Sequence, residues 1–216
     1  PFTGEVATAT GGRVPYRRPP YSLVDNALMV VGDAAFMNKP FNGEGVTSAF
    51  TACAIAAEVA ADALAKDDLT RESLWPYNVR YFRGQGAKFA FLAAVMPALV
   101  SLPADEIDFL FTVPGIITPE GTRALNLEYE VKSDPSAVMQ SLLALLKGIA
   151  RRKLRPASIA SIVKAGWDAF VIGRLYKSYP EHSSGFGDWK NGAEHYWAKA
   201  DRARHVFFEK LLRQWT

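Results

Sequence analysis

Leu28-Met29-Val30-Val31-Gly32-Asp33-Ala34-Ala35, with Pro40-Phe41-Asn42-Gly43-Glu44-Gly45-Val46 shortly after it, decides how this chain is read. Ala27 to Val31 is a short, wholly apolar run between Asp25-Asn26 and Gly32-Asp33. Such a run predicts a buried strand of a parallel sheet. A strand of that kind delivers Asp33 at its carboxyl end, where open α/β sheets take their ligands. Gly32 lets backbone and ligand approach each other, and the Asp33 carboxylate is an acceptor suited to a ligand hydroxyl. Gly43 and Gly45 then open a long helix predicted to run to about Lys66. Val46, Ala49, Phe50, Cys53, Ala57, Ala60 and Leu64 fall at spacings of three and four along it. The first four N–H groups of a helix have no partner within it, and with the helix dipole they form a partly positive pocket. That pocket suits a ligand atom that gains negative charge. Cys53, on the small-residue face, is expected to be buried and inert.

Outward from this stretch the chain changes character. Residues 1–26 are punctuated by Gly11-Gly12, Pro15, Pro19 and Pro20 and read as loop with short extended pieces. Beyond Asp67 almost everything reads as helix. Thr118-Pro119, Asp134-Pro135 and Arg155-Pro156 mark helix starts, and a last helix is predicted from about Asn191 to Gln214. The helix after Asp134 is expected to stop near Gly148.

Composition bounds the function classes. The 216 residues are 49% hydrophobic and 22% charged, which fits a globular protein with a real core and excludes a disordered or collagen-like chain. A single cysteine excludes a disulfide framework and a cysteine-held metal cluster, and three scattered histidines argue against a metal site, so no metal is expected. Charge is uneven: residues 1–99 carry nine basic and nine acidic groups, 100–140 two and seven, and 141–216 fourteen and six. The basic last third is read either as solvated helix faces or as a surface for an anionic partner. No nucleic-acid-reading motif is present, so no nucleic-acid partner is expected. The longest apolar run, Phe89 to Val100, is shorter than the ~20 residues of a spanning helix. No signal peptide is read at the amino terminus.

The spaced set Gly32-Asp33-Ala34-Ala35, Asn38-Lys39-Pro40 and Gly43-Glu44-Gly45, with Gly12-Arg13-Val14-Pro15 before it, resembles the second FAD fingerprint of the para-hydroxybenzoate hydroxylase-like flavoproteins. It is most similar to their geranylgeranyl reductase branch. The strong part spans residues 11–62, and a weaker match with Tyr77, Arg80 and Arg83 extends to Gly84. The resemblance implies an α/β fragment, predominantly α. Residues 1–66 would be the carboxyl-terminal part of a Rossmann-like FAD-binding domain (strand, Gly-rich turn, helix), and 67–216 a helical carboxyl-terminal domain. It implies FAD as cofactor, bound by Gly32, Asp33, Ala34, Pro40, Asn42, Gly43, Glu44, Gly45 and Val46. It implies reduction of C=C bonds in prenyl groups or a related lipid-like substrate.

Phe36 stands where many hydroxylases of the superfamily have His, which weakens a monooxygenase reading. That reading, a halogenase, and a non-catalytic helical interaction module remain the alternatives. The Gly-x-Gly-x-x-Gly fingerprint for the adenosine half of FAD is absent, and Gly84-x-Gly86 does not supply it. The chain therefore reads as one part of a longer flavoenzyme, inactive alone, whose partner is the amino-terminal FAD-binding half. Phe89, Phe91, Leu92 and Val95 are candidate substrate contacts, with plain core as the competing role. Arg151-Arg152-Lys153-Leu154-Arg155 is either a solvated loop or a contact for anionic lipid. The expected location is the cytoplasm, with peripheral membrane contact. Glu44 and Tyr77 are the conceivable proton donors.

Overall fold

The computed structural model describes residues 18–40, 42–112, 143 and 146–215, with the backbone alone at 111 and 202–215. The helix starts expected at Thr118 and Asp134 lie outside the described residues.

The segment 22–31 is not a strand of a parallel sheet. It forms a hairpin, β1 (Val24–Asp25) antiparallel to β2 (Leu28–Met29), with Val24 opposite Met29 and Asp25 opposite Leu28. Val30 N–H extends the ladder to the Leu23 carbonyl at 2.9 Å. Leu28 is 53% exposed, and Met29 to Val31 are half-buried. Backbone donors of an apolar run must be satisfied somewhere. Here the nearest extended piece, 23–25, satisfies them, because the described residues contain no third strand.

What holds this hairpin is a helix. After α1 (Val46–Ala65), a short turn leads through Thr70, whose hydroxyl accepts the Ser73 N–H, into α2 (Arg71–Tyr81). Asn78 on α2 is fully buried; its Oδ1 accepts the Leu23 N–H at 2.8 Å and its Nδ2 donates to Ser22 Oγ at 2.9 Å. One residue earlier, the Tyr77 hydroxyl donates to the Val30 carbonyl at 3.0 Å. At the helix start, the Ala27 N–H reaches the Leu69 carbonyl and the Arg71 N–H reaches Asn26 Oδ1.

The long helix expected from the spacing is present as α1, but its apolar face is turned the other way. Ser48, Ala52, Ala56, Val59 and Ala63 are buried, while Val46 (68%), Phe50 (71%) and Leu64 (65%) are exposed. Cys53 is exposed too, contrary to expectation. Small side chains let α1 approach α2 closely, and the larger ones are left outside. By length and composition alone α1 would also suffice to cross a bilayer; its buried stripe is spent on packing within the chain.

Helix α2 runs through a π-helical turn (Phe82–Gly86) into α3 (Ala87–Val100), and α4 (Ala104–Thr112) follows. A helical stretch at 146–150 continues past Gly148 and is ended by Arg152 in left-handed backbone (φ 55°), with the Lys153 N–H on the Gly148 carbonyl. Pro156 opens α5 (Pro156–Lys177), as its position predicts. Buried Glu106 on α4 accepts the Arg155 N–H there. Helix α6 (Phe186–Trp215) starts a few residues before the predicted Asn191.

Helices α3 and α5 are the most extensively packed pair, with Ala87 and Ala90 buried on one and Ala165 and Ala169 on the other. Between α2, α5 and α6 lies an aromatic core. Phe82 stacks on Tyr179 at 4.7 Å and Trp75 on Tyr179 at 5.6 Å, and Trp189 meets Tyr179 edge-on at 4.5 Å. Three polar ring atoms here have partners: Trp75 Nε1 donates to the Pro180 carbonyl, Trp189 Nε1 to the Leu175 carbonyl, and the Tyr179 hydroxyl to the Tyr21 carbonyl. Aromatic groups of this kind combine large buried area with fixed geometry.

Asn78→Ala should destabilise the chain by about 2–4 kcal/mol, since it orphans the buried Leu23 N–H and opens a cavity. Arg80→Ala, which removes only the exposed pair with Glu58, should change stability by less than about 1 kcal/mol. Chemical denaturation of the two variants checks the contrast.

Candidate functional site

The Gly32-Asp33-Ala34-Ala35 motif is a 3-10 turn that follows the hairpin. Gly32 (φ 63°) and Phe36 (φ 53°) are both in left-handed backbone, and the Met37 N–H closes back on the Gly32 carbonyl. Ala35 and Met37 are fully buried and anchor the turn. Asp33 is thereby set beside the start of α1. The loop 39–44 is closed by two backbone bonds, Lys39 N–H to the Glu44 carbonyl and Gly43 N–H to the Lys39 carbonyl, both 2.9 Å. A Cβ on Gly45 would lie 2.0 Å from Asn38 Oδ1 and 3.3 Å from Asp33 Oδ1. Glycine at 45 is therefore a packing requirement. Gly43 has φ 75° and open space where a Cβ would be.

Two clefts flank this loop. One, of about 490 Å³, is lined by Asp33, Asn38, Gly43, Gly45, Val46 and Ala49, with Phe50 and Cys53 beyond them. The other, of about 840 Å³, is mostly apolar. Phe89, Ala90, Ala93, Met96, Pro97 and Val100 of α3 form one wall, and Pro40, Tyr176 and Trp197 are among the residues opposite. Asn38 lines both clefts. At the rim of the larger one, Arg18 makes a two-pronged ion pair with Asp201 (2.9 and 2.6 Å) and lies 4.3 Å from the centre of the Trp197 ring. Burial is the largest single influence and works against the Arg18 charge, but the hydrogen bond to Asp201 and that carboxylate's charge together outweigh it and raise the guanidinium pKa. The Tyr176 hydroxyl accepts Trp197 Nε1 at 3.2 Å, and burial pushes its pKa up to about 12.

The structure thus brings Asp33, Gly43, Gly45 and Val46 together in one cleft and places Pro40 in the other. Gly32 supports the turn from behind, 3.7 Å from Ala49 through its Cβ position. Ala34, Asn42 and Glu44 line neither cleft. Asn42 Oδ1 caps the Glu44 N–H, and Glu44 faces Lys39 at 2.7 Å and the Thr47 hydroxyl. Of the four candidate substrate contacts, Phe89 alone lines either of these two clefts. Phe91 packs against Gly173, Leu92 is buried and Val95 is half-buried. Their neighbours Ala93, Met96, Pro97 and Val100 take the wall positions instead, because α3 turns a different stripe toward the cleft. Neither conceivable proton donor is poised to act. Glu44 is held below its ordinary carboxylate range by Lys39 first and Thr47 second. Burial drives the Tyr77 pKa well up, and its hydroxyl donates its hydrogen bond to the Val30 carbonyl.

Arg18, Tyr176 and Asp201 carry no local signal in the sequence, and Trp197, beside His195 and Tyr196, makes no site by its spacing alone. Asn38 belongs to the Asn38-Lys39-Pro40 motif, and its place on both clefts follows from the fold alone. His195, Tyr196 and Trp197 point to different faces, as their spacing implies: exposed, half-buried and buried in turn.

No family model matches the chain. It is 29% identical over 181 residues, 83% of its own length, to a digeranylgeranylglycerophospholipid reductase of Sulfolobus acidocaldarius, of which it covers 38%. It is 36% identical over 107 residues (50% of this chain, 26% of the relative) to digeranylgeranylglycerophospholipid reductase 1 of Methanococcoides burtonii. With the enzyme of that name from Methanothrix thermoacetophila it shares 32% identity over 99 residues, 46% of this chain and 25% of the relative. The resemblance to geranylgeranyl reductases carried by the motifs is therefore matched by curated relatives of that family. The chain spans well under half the length of these relatives.

Gly45→Ala should lower stability by about 1–3 kcal/mol, because Asn38 must be displaced, while Gly84→Ala, where a Cβ meets nothing within 4 Å, should not. Thermal melts compare them directly. The Lys39–Glu44 clasp carries a pH sign as well. A carboxylate whose folded pKa is depressed stabilises above its unfolded value and loses that contribution as pH falls through the folded one. Hydrogen exchange at the Lys39 and Gly43 amides should accelerate relative to the core on acidification below the ordinary carboxylate range, and Glu44→Gln should remove the pH dependence.

Proposed function

We propose that this chain forms the carboxyl-terminal part of an FAD-dependent reductase that saturates C=C bonds of prenyl lipid chains or a closely related lipid-like substrate. The observation that carries the reading is the wall shared by two unlike clefts. One is small, with a carboxylate and a helix start; the other is larger and apolar; Asn38 borders both. A flavin reductase needs such adjacency, since cofactor edge and reacting bond must meet while their remaining parts bind apart. The names of the relatives agree with the lipid substrate.

The residues present fit a flavin. The open space over Gly43 leaves room for a planar group against the backbone, while Gly45 lets Asn38 pack against the start of α1. The unpartnered N–H groups in the first turn of α1 supply a positive field for an acceptor that gains negative charge. The Asp33 carboxylate accepts a ligand hydroxyl. Reduced FAD, when bound, supplies the hydride; the protein supplies position and field. The larger cleft lies within the ~300–1,000 Å³ range of small-molecule sites, and its α3 wall offers an isoprenoid chain only apolar contact. The Arg18–Asp201 pair at its rim offers the polar boundary at which a headgroup stops. We assign the exposed apolar side of α1 to contact with the amino-terminal FAD-binding half, which would supply the adenosine site. The division at residue 66 belongs to the same reading.

In the intact enzyme, Asp33→Ala should weaken FAD binding by about 1.5–3 kcal/mol, the worth of a hydrogen bond to a charged group. Met96→Asp should raise the lipid KM far more than it alters FAD affinity. Apoprotein titration with FAD and steady-state kinetics test both. Unchanged FAD affinity in the first variant, or equal loss of both affinities in the second, would remove the residue from its assigned cleft.

A further inference from the structure

Helix α5 has two unlike faces. Ala165, Ala169, Ile172 and Tyr176 are buried at helical spacing. On the other side Val163, Trp167, Phe170 and Val171 are 66%, 66%, 50% and 40% exposed. At offsets of four, three and one these four form a continuous apolar stripe two turns long. The Trp167 and Phe170 rings lie 5.9 Å apart, and the Arg174 guanidinium sits 5.8 Å from the centre of the Phe170 ring on the same side. An aromatic stripe left in water is a mark of an interaction surface rather than of scattered exposure.

Charge decides what kind of partner fits. Residues 151–177 hold seven basic groups and one acidic group, Asp168, which Lys164 already pairs. All seven basic residues are exposed. Three of them, Arg151 to Lys153, form the turn just before α5, held by the Lys153 N–H on the Gly148 carbonyl and by the buried Leu154 beside it. A second copy of this chain would bring two such basic surfaces together. An anionic lipid surface instead takes the aromatic stripe into its interfacial zone and sets the basic groups against its phosphates. We propose that the Val163–Arg174 face of α5, with the Arg151–Lys153 turn at its amino end, docks this protein onto anionic bilayers. The inference stands apart from the reaction proposed above and needs no turnover to be tested.

The test is sedimentation of the 216-residue chain with sucrose-loaded vesicles, of phosphatidylcholine alone or of phosphatidylcholine with phosphatidylglycerol, at low and high salt. The chain should partition to the mixed vesicles at least about tenfold more strongly than to the neutral ones, and high salt should weaken this binding. Two variants, Trp167→Ser with Phe170→Ser and Arg151→Glu with Arg152→Glu, alter only exposed side chains. Each should retain the melting temperature and lose roughly tenfold or more of the partitioning. Binding that is equal for both vesicle types, absent from the mixed ones, or undiminished in either double variant would overturn the proposal. So would a dimer in sedimentation equilibrium that the Trp167/Phe170 variant dissociates, which would give the face to a second copy.

Discussion

The structure depends on the grip that α2 exerts on the segment before it. Asn78, without exposure to solvent, ties Leu23 and Ser22, and Tyr77 ties Val30. These bonds do for the hairpin what neighbouring strands do in a sheet: they satisfy main-chain groups that would otherwise be stranded against an apolar surface. The Gly32–Ala35 turn starts one residue after Val31. Its position against α1, and so the position of Asp33, follows from where α2 holds Val30. The proposed cofactor cleft is thus an end product of contacts made on the far side of the hairpin.

The larger cleft has a different foundation. Tyr176 and Trp197 form part of it and also belong to the buried core, where the Trp197 indole donates to the Tyr176 hydroxyl. The Tyr176 ring packs against Phe82 and Trp189, and the Trp197 ring against Tyr196. The wall from α3 is built of Phe89, Ala90, Ala93 and Met96, with Pro97 breaking the hydrogen-bond ladder near the helix end. Residues 38–40 join the two systems. Asn38 borders both clefts, and the loop that follows it, closed by backbone bonds to Lys39, places Pro40 on the larger one.

Much of this was legible in the order of residues, and the failures have physical causes. Helix α1 was readable because the twenty residues from Val46 to Ala65 hold neither Gly nor Pro and carry apolar groups at helical spacing, although an Ala-rich helix is apolar all round and spacing alone could not choose its buried face. Close approach to α2 chose the small side chains Ser48, Ala52 and Ala56, and left Phe50 and Cys53 outside. Ala27–Val31 was read as a parallel strand because a wholly apolar run carries no period to reveal its partner. Asp33, Gly43, Gly45 and Val46 were legible as a set, since glycine at special backbone positions and a helix start leave a local signature. Arg18 with Asp201 was not, for the partners lie 183 residues apart. Nor was the choice of wall residues on α3, because Phe89 to Val100 is apolar on every side and only packing against α5 shows which stripe faces the cleft.

The most direct test of the central claim is mass spectrometry of a digeranylgeranyl lipid incubated with the full-length enzyme, FAD and a reductant under anaerobic conditions. The account predicts products heavier by one pair of hydrogens for each bond reduced, with none formed when FAD is withheld. A flavin-loaded enzyme that leaves the lipid mass unchanged without oxygen, and adds oxygen to a substrate when air is admitted, would contradict it.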